Sequence, residues 1–172
     1  GFKERFSNKT AIAPTASISI ICGGTSAGVE PISGNSYTHK TLSGSFNVRN
    51  KYLKKLLDKH GKDNEETWSS ITTNQGSVSH LDFLTNEEKD TFKTAFEIDQ
   101  RWIVELGADR TPHISQAQSI NIFVPADIHK KELHNIHFQA WKKGLKSLYY
   151  CRSKSIQRAE NINSGSSTDI EM

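Results

Sequence analysis

The sequence has few cysteines and a single methionine, and both shortages limit what it can be. Its 172 residues include two cysteines, Cys22 and Cys151, which stand far apart. Their separation is neither that of a zinc site nor that of a redox pair, and the default setting for such a chain is reducing and cytoplasmic. The chain begins with Gly1, and its one methionine is the last residue, Met172. We therefore expect a processed, split or truncated product.

Long apolar runs and a strong net charge are missing as well. The longest apolar run, residues 18–22, contains Ser19 and is far shorter than a membrane span. The first residues lack the basic, apolar and small segments of a signal peptide. The formal net charge of +3 is too small to indicate nucleic-acid or lipid binding. We expect no membrane and no direct nucleic-acid partner, and the hydrophobic content of 34% is low for a self-sufficient domain.

Strand-like and helical patterns alternate in the first hundred residues. Residues 9–13 predict a short strand that Pro14 stops, because proline has no N–H for a central ladder. Residues 16–22 then fit one or two helical turns, ended by Gly23 and Gly24. Further predictions are strand-like fragments at 37–40 and 45–48 within an irregular stretch from 25 to 50, and helices at 51–59, after Asn86 and after Asp99.

Apolar residues at helical spacing predict which helix faces are buried. Asn86 and Asp99 are the expected N-caps, because their side chains accept from free N–H groups. The faces expected to be buried carry Tyr52, Leu53, Leu56 and Leu57 in the first helix, Phe92, Ala95 and Phe96 in the second, and Trp102, Ile103 and Leu106 in the third.

A strand, a helix and a strand follow one another between residues 119 and 150. Residues 119–124 alternate like a strand, Asp127 is a predicted N-cap, Gly144 ends the helix, and 145–150 form the second strand. This order within about 30 residues is typical of a parallel βαβ unit and predicts an α/β fold. Beyond residue 152 the composition is polar, which predicts one domain at 1–152 and a flexible tail at 153–172. The buried face of the helix is expected to carry Leu133, Ile136, Ala140 and Trp141.

The turn Pro14-Thr15-Ala16-Ser17-Ile18 joins small and hydroxyl residues at a predicted helix start. Free backbone N–H groups at the positive end of a helix dipole, with the hydroxyls of Thr15 and Ser17, would bind an anion such as phosphate. The same residues also fit an ordinary N-cap with Thr15 or Ser17 as the capping residue, which is the commoner case. Spacing alone leaves both interpretations open.

Tyr149 and Tyr150 are adjacent oxidisable phenols at the end of the second predicted βαβ strand. Ligands of α/β folds gather at the carboxyl ends of strands, and two phenols in contact could relay an electron and a proton. Neighbours on a regular strand point to opposite faces, so contact requires an irregular strand end. The alternative is a pair of core aromatics. Together with a phosphate-binding turn, the pair indicates radical chemistry on a nucleotide.

Other polar residues give weaker indications. His134 and His137 are three apart on one predicted helix and fit a metal pair, although no carboxylate or thiol completes the set. Cys151 follows the tyrosines and is expected to be packed, as unpaired cysteines commonly are. Scattered basic residues are usually solvated, but those that could help neutralise phosphate are Arg101, Lys142, Lys143 and Lys146.

Six sequence blocks stand in order over nearly the whole chain: Thr10–Ser17, Val29–Pro31, Leu42–Phe46, Phe92–Ile98, Ser115–Asn121 and Gly144–Tyr150. Together they resemble the large (alpha) subunit of class I ribonucleoside-diphosphate reductases. The resemblance implies the carboxyl-terminal part of a ten-stranded α/β barrel. This chain would then be a partial barrel that supplies the last strands and their helices.

The resemblance also implies roles for residues and partners. The turn from Pro14 to Ile18 would hold the diphosphate of a ribonucleoside diphosphate, which is reduced at its 2′ carbon to make deoxyribonucleotides for DNA synthesis. Tyr150, the outer phenol, and Tyr149, the inner one, would pass the radical from the small (beta) subunit to a catalytic cysteine. Implied partners are the N-terminal part of the large subunit and a metal-radical small subunit. ATP or dATP effectors and a thioredoxin- or glutaredoxin-type reductant are also implied, with no cofactor bound by this segment.

Departures from the family pattern shape the expectation. The radical cysteine, the redox cysteine pair and the Asn and Glu that assist them have no counterpart here, and neither Cys22 nor Cys151 matches them. Some relatives have a hydroxyl residue at Ile18, so only backbone would serve there. We expect a fragment or a separately encoded half that is inactive alone. The alternative is a stand-alone nucleotide- or phosphate-binding module without catalysis.

Overall fold

A computed structural model describes residues 6–41 and 44–153 of the chain, with backbone only at 39–41 and 44–46. It combines helices with short strands, so the predicted α/β class is confirmed. In chain order the elements are α1 Ala16–Ile21, β1 Ser36–Thr41, β2 Gly44–Arg49, α2 Lys51–Lys59, α3 Glu65–Thr73, α4 Asn86–Thr91, α5 Gln100–Arg110, a 3₁₀ turn Thr111–His113, β3 Ile122–Val124, α6 Lys130–Lys142 and β4 Cys151–Ser153.

The strand-like fragments at 37–40 and 45–48 form an antiparallel hairpin of β1 and β2. Ser36 lies opposite Arg49 and Tyr37 lies opposite Val48. The first two residues of the sequence block Leu42–Phe46 fall outside the described residues. The hairpin is tied to the following helices by Asn35, whose buried side-chain amide donates to the carbonyl of Phe92 at 2.7 Å.

Helices α2 and α3 and the segment 78–84 that follows them form one of two apolar clusters. Helix α2 has the bounds that the sequence predicts, and the side chain of Asn50 caps it by accepting from the backbone N–H groups of its first turn. Tyr52 was expected on the buried face but is exposed, because Leu53 and Leu57 fill the contact with α3. Helix α3 was not predicted. The cluster comprises Leu53, Leu57, Trp68, Ile71, Val78, Leu81 and Leu84.

Two predicted helix features differ from the structure in the middle of the chain. The N-cap of α4 is Thr85 rather than Asn86, because Thr85 forms a capping box with Glu88. This helix ends at Thr91, so Phe92, Ala95 and Phe96 lie beyond it. The predicted N-cap Asp99 of α5 is confirmed. On α5, Ile103 is buried as expected, whereas Trp102 and Leu106 are exposed because Val104 and Gly107 share the buried face instead.

The predicted parallel βαβ unit is confirmed by β3, α6 and β4. Ile122 pairs with Cys151 and Val124 with Ser153 in parallel register. Its details differ from the prediction: the N-cap of α6 is His129 rather than Asp127, because the His129 ring nitrogen accepts from Lys131 N–H. Strand β4 comprises Cys151–Ser153 and therefore follows the strand predicted at 145–150, and β3 begins at Ile122 rather than at residue 119. Trp141 is exposed, although it was expected on the buried face.

The predicted tail is largely outside the described residues. Ser153 still belongs to β4, and residues 154–172 are not described. Within the part of the chain that is described, no helix is long and apolar enough to cross a membrane.

Residues 116–124 form a central segment with neighbours on both edges. On one edge it runs parallel to residues 10–12, since Gln116 N–H donates to the Thr10 carbonyl and Ser119 N–H to the Ile12 carbonyl, both at 2.9 Å. Of the strand predicted at 9–13, only an isolated parallel bridge between Ile12 and Gln118 is formed. On the other edge lie Tyr149, Tyr150 and β4. The residues that lead into the turn and the tyrosine pair are therefore bonded to the same segment.

The second apolar cluster packs around this central segment. It joins the inner faces of α5 and α6 to the buried β3 strand. Its buried members are Ala95, Ile103, Val104, Ile120, Ile122, Phe123, Val124, Ile136 and Ala140.

Candidate functional site

The turn at the start of α1 has an unusual backbone. Thr15 occupies the N-cap position with a φ of 51° and a ψ of 28°, in the left-handed region. Its hydroxyl does not cap the helix but accepts a hydrogen bond from Gly28 N–H at 2.7 Å. No described side chain caps α1. The interpretation of Thr15 or Ser17 as an ordinary side-chain cap is therefore wrong, although Thr15 does stand at the cap position.

The first turn of α1 presents free backbone donors. The Thr15 carbonyl accepts from Ser19 N–H at 2.9 Å, which is the first bond of the helix. The N–H groups of Ala16, Ser17 and Ile18 precede that bond and have no acceptor within the helix. All three residues are exposed. This arrangement favours an anion, because the donors converge at the positive end of the helix.

Tyr149 and Tyr150 are in contact. Their ring centroids lie 4.1 Å apart with an interplanar angle of 53°, and each side chain is about half exposed. A hydrogen bond to Tyr150 raises the pKa of Tyr149 above its ordinary value. The pair precedes β4, so it lies at the amino end of that strand and not at the carboxyl end that the sequence predicted.

A bulge explains how neighbouring residues can touch. Tyr149 N–H donates to the Ile120 carbonyl at 2.8 Å, and the Tyr150 carbonyl accepts from Ile122 N–H at 2.9 Å. In a regular parallel ladder a single residue would make both bonds. Here two residues oppose Asn121, which is the defining feature of a β-bulge. The irregular strand end that contact requires is thereby present.

Asn121 and Glu30 complete the surroundings of the pair. Asn121, almost fully buried, accepts from Tyr150 N–H at 2.9 Å through its side-chain oxygen and donates from its amide nitrogen to Glu30. Burial raises the pKa of Glu30, while the charge of Arg152 and the Asn121 hydrogen bond act against this shift. The Arg152 guanidinium also lies 5.9 Å from the Tyr150 ring centroid.

Sequence reasoning placed Glu30 and Asn121 in two of the six blocks but gave neither a role. Their spacing could not reveal one, since 91 positions separate the two hydrogen-bonded side chains. The signal available was their membership of short blocks, Val29–Pro31 and Ser115–Asn121.

The basic residues considered for phosphate have other contacts. Arg101 pairs with Asp99, and Lys143 with Glu105 at 2.7 Å. The Lys146 ammonium donates to the backbone carbonyls of Ile114, Ser115 and Gln116 at 2.8, 2.7 and 3.1 Å. Three of the four candidates therefore do not point freely towards the turn.

The histidine and cysteine candidates are not assembled into a site. His134 stacks on Phe138, and His137 Nδ1 lies 2.8 Å from the Leu133 carbonyl oxygen. Among the described residues, no group of three or more His, Cys, Asp or Glu could hold a metal ion. Cys22 and Cys151 are free and exposed, so the expectation that Cys151 is packed is wrong.

A cleft of about 330 Å³ opens between the amino ends of α5 and α6, beside the end of β3. Its lining includes Phe96, Arg101, Val124 and Glu132. Neither the turn nor the tyrosine pair contributes to it, so it is separate from both candidate motifs.

Comparison with known proteins identifies the family. The family model described as "Ribonucleotide reductase, barrel domain" matches residues 4–151. The chain belongs to this family. The ribonucleotide reductase large subunit of Invertebrate iridescent virus 6 is 50% identical over 168 residues, which cover 95% of this chain and 18% of that protein. The large subunit of Invertebrate iridescent virus 3 is 46% identical over 171 residues, 98% of this chain and 27% of that protein.

A solved ribonucleotide reductase shares the fold. The class Id alpha subunit of Actinobacillus ureae superposes with a TM-score of 0.76 at 42% identity, over 90% of this chain and 27% of the other. This ribonucleotide reductase chain therefore spans about a fifth to a quarter of the length of the relatives it matches. It corresponds to a carboxyl-terminal part of the large subunit, within the barrel domain.

Proposed function

We propose that this chain is part of the large subunit of a ribonucleoside-diphosphate reductase, and that it contributes the substrate diphosphate-binding turn and the tyrosine radical-transfer pair. One observation carries the proposal: residues 10–12, which lead into the turn, and the tyrosine pair are hydrogen-bonded to opposite edges of the same central segment. The reaction would replace the 2′ hydroxyl of a ribonucleoside diphosphate by hydrogen and so supply deoxyribonucleotides, in the cytoplasm.

The turn suits a diphosphate because its donors come from the backbone. The exposed N–H groups of Ala16, Ser17 and Ile18 would donate to phosphate oxygens, so the apolar side chain of Ile18 is no obstacle. The Ser17 hydroxyl would add a donor. Thr15 would act from behind, because its hydroxyl accepts from Gly28 and holds the turn in shape.

The tyrosine pair suits radical transfer because the rings touch. The Tyr150 radical would take one electron and the one phenolic proton of Tyr149, which leaves Tyr150 as the phenol and Tyr149 as the radical. A tyrosine phenol is protonated at neutral pH at its ordinary pKa of about 10, and the pKa of Tyr149 is raised further, so its proton would have to leave with the electron. Tyr150 would face the small subunit and Tyr149 the catalytic cysteine.

The remaining parts of the reaction would come from elsewhere. The N-terminal part of the large subunit would supply the radical cysteine and the redox cysteine pair, since Cys22 and Cys151 match neither, and this chain alone would be inactive. A metal-radical small subunit would generate the radical, and ATP or dATP would regulate the enzyme. A thioredoxin- or glutaredoxin-type protein would restore the reduced cysteines.

Replacement of Tyr150 by phenylalanine tests the proposal, because phenylalanine cannot be oxidised at accessible potentials. In the large subunit containing this chain, assembled with its small subunit, Tyr150→Phe should abolish turnover of cytidine diphosphate. The affinity of the variant for cytidine diphosphate, measured by calorimetry, should be unchanged. Tyr52→Phe, at an exposed tyrosine of α2, is the matched control and should retain turnover. Turnover by the Tyr150 variant would refute the relay.

A further inference from the structure

We propose that Asn121, held by Glu30, is the positioning residue that keeps Tyr149 and Tyr150 in contact; this inference rests on the function proposed above. Asn121 is 2% exposed, and both ends of its side-chain amide are bonded. The oxygen accepts from Tyr150 N–H at 2.9 Å, and the nitrogen donates to the Glu30 carboxylate. Neither bond belongs to a strand ladder.

The bulge creates the need for this side chain. Because Tyr149 N–H and the Tyr150 carbonyl both bond to the central segment, the N–H of Tyr150 has no ladder acceptor. The side-chain oxygen of Asn121 accepts this hydrogen bond instead. If that acceptor were lost, a regular strand would satisfy the N–H at the expense of the bulge. Regular pairing would then send the two phenols to opposite faces.

Glu30 determines which end of the amide faces Tyr150. An asparagine side chain can turn over, which would present its NH₂ group to another N–H donor. A carboxylate only accepts, so Glu30 requires the amide nitrogen on its own side and leaves the oxygen for Tyr150. Burial raises the pKa of Glu30, and the nearby charge of Arg152, which also lies by the Tyr150 ring, opposes that rise.

An exchange of the two side-chain types tests this directionality. In Asn121→Asp, two carboxylates face each other and repel. In the double variant Asn121→Asp with Glu30→Gln, the introduced glutamine amide donates to the introduced aspartate, whose other oxygen still accepts from Tyr150. The hydrogen-bond chain is then restored with donor and acceptor exchanged. A residue that served only the general stability of the fold would not require this particular partner.

The variants should be measured in the large subunit containing this chain, assembled with its small subunit, with cytidine diphosphate as substrate. We expect Asn121→Asp to lower kcat at least tenfold with KM changed less than twofold. The double variant should recover kcat to within about threefold of the original protein. A crystal structure of the Asn121→Asp subunit should show the rings separated beyond the original 4.1 Å.

Two further variants keep the test decisive. Glu30→Ala removes a half-buried side chain, so it provides a milder change if Asn121→Asp fails to fold, and it should lower kcat several-fold. Asn35→Asp is the matched control: Asn35 is 3% exposed and its side-chain amide donates to the carbonyls of Gly76 and Phe92, in the other cluster. It should lower the yield of folded protein without changing kcat per folded subunit.

The outcomes separate this inference from the proposed function. If Asn121→Asp left both the ring contact and kcat unchanged, the positioning role would be overturned. If that variant does not fold, the same result with Glu30→Ala would overturn it. Failure of the double variant to recover kcat would also overturn it. Separated rings with undiminished turnover would instead refute radical transfer through the pair and leave the structural role of Asn121 in place.

Discussion

The Thr15 hydroxyl accepts a 2.7 Å hydrogen bond from the backbone N–H of Gly28, thirteen residues further along the chain. Gly28 has a φ of +52°, and a Cβ at this position would lie 3.2 Å from the Ala13 carbonyl oxygen. Gly28→Ala therefore carries the cost of a left-handed backbone and crowds the strand that leads into the turn. We expect the dissociation constant for cytidine diphosphate to rise roughly tenfold, as about 1.4 kcal/mol predicts.

Gly24→Ala separates the two causes. Gly24 has a φ of +67°, but among the described residues no atom lies within 4 Å of its Cβ position. Gly24→Ala carries the cost of a left-handed backbone without the crowding of the turn. Its dissociation constant for cytidine diphosphate should therefore stay near that of the original protein. Calorimetric titration of both variants is the measurement. Equal affinities for the two would show that the shape of the turn does not depend on Gly28.

The contact between His60 and Glu88 should make the free energy of unfolding depend on pH in the acidic range. Their side chains are 3.0 Å apart, and the hydrogen bonds from His60 and then from Thr85 lower the pKa of Glu88 to about 2. Because the folded pKa is below the ordinary 4.5, this contribution is fully present above pH 4.5 and is lost as the pH falls through about 2. Between these limits, the urea midpoint of the original protein should fall more steeply than that of Glu88→Gln.

Glu87→Gln is the matched control for that measurement. It removes the neighbouring carboxylate in the same first turn of α4 and leaves the His60 contact in place. Its midpoint should follow the original protein through the acidic range. If Glu88→Gln showed the same acid dependence as Glu87→Gln, another carboxylate would be responsible.

Two tryptophans should differ strongly in their contribution to stability. Trp68 is 1% exposed, and its indole N–H donates to Asp63 at 2.7 Å. Trp68→Ala should lower the free energy of unfolding by about 3–5 kcal/mol, because it leaves a cavity and an unpaired carboxylate oxygen. Trp141 is 73% exposed, so Trp141→Ala should cost no more than about 1 kcal/mol. Urea unfolding of both variants checks the difference, and equal losses would contradict the assignment of the core.

Local signals in the sequence were sufficient for the elements that have strong caps. The predicted cap Asp99 precedes α5 and is seen in the structure, and α2 has its predicted bounds, although its cap Asn50 was not predicted. Helix α3 escaped prediction because two serines stand between Trp68 and Ile71 and threonines flank this pair, and both residue types have little helical preference of their own. Its place in the fold comes from the burial of those two apolar side chains, which a local pattern does not record.

The candidate site was predictable in its members but not in its geometry. The order of the six blocks in the sequence was enough to indicate the turn and the tyrosine pair. The bulge depends on which atoms of residues 120–122 bond to Tyr149 and Tyr150, and no spacing encodes that. The same holds for Glu30 and Asn121, whose contact arises only when distant segments pack together.

Because of the bulge, the contact between the two tyrosines depends on the length of the connection between α6 and β4 as well as on its composition. Between Gly144, which follows the C-cap of α6, and Cys151, which begins the regular pairing of β4, the chain has one residue more than an unbroken ladder would use. Deletion of the exposed Ser147 would keep both tyrosines and every buried side chain, yet it would remove the extra residue from the connection, and regular pairing would then send the two phenols to opposite faces. Two adjacent tyrosines in a homologue would then be suited to the proposed radical transfer only where the connection from α6 to β4 retains the extra residue.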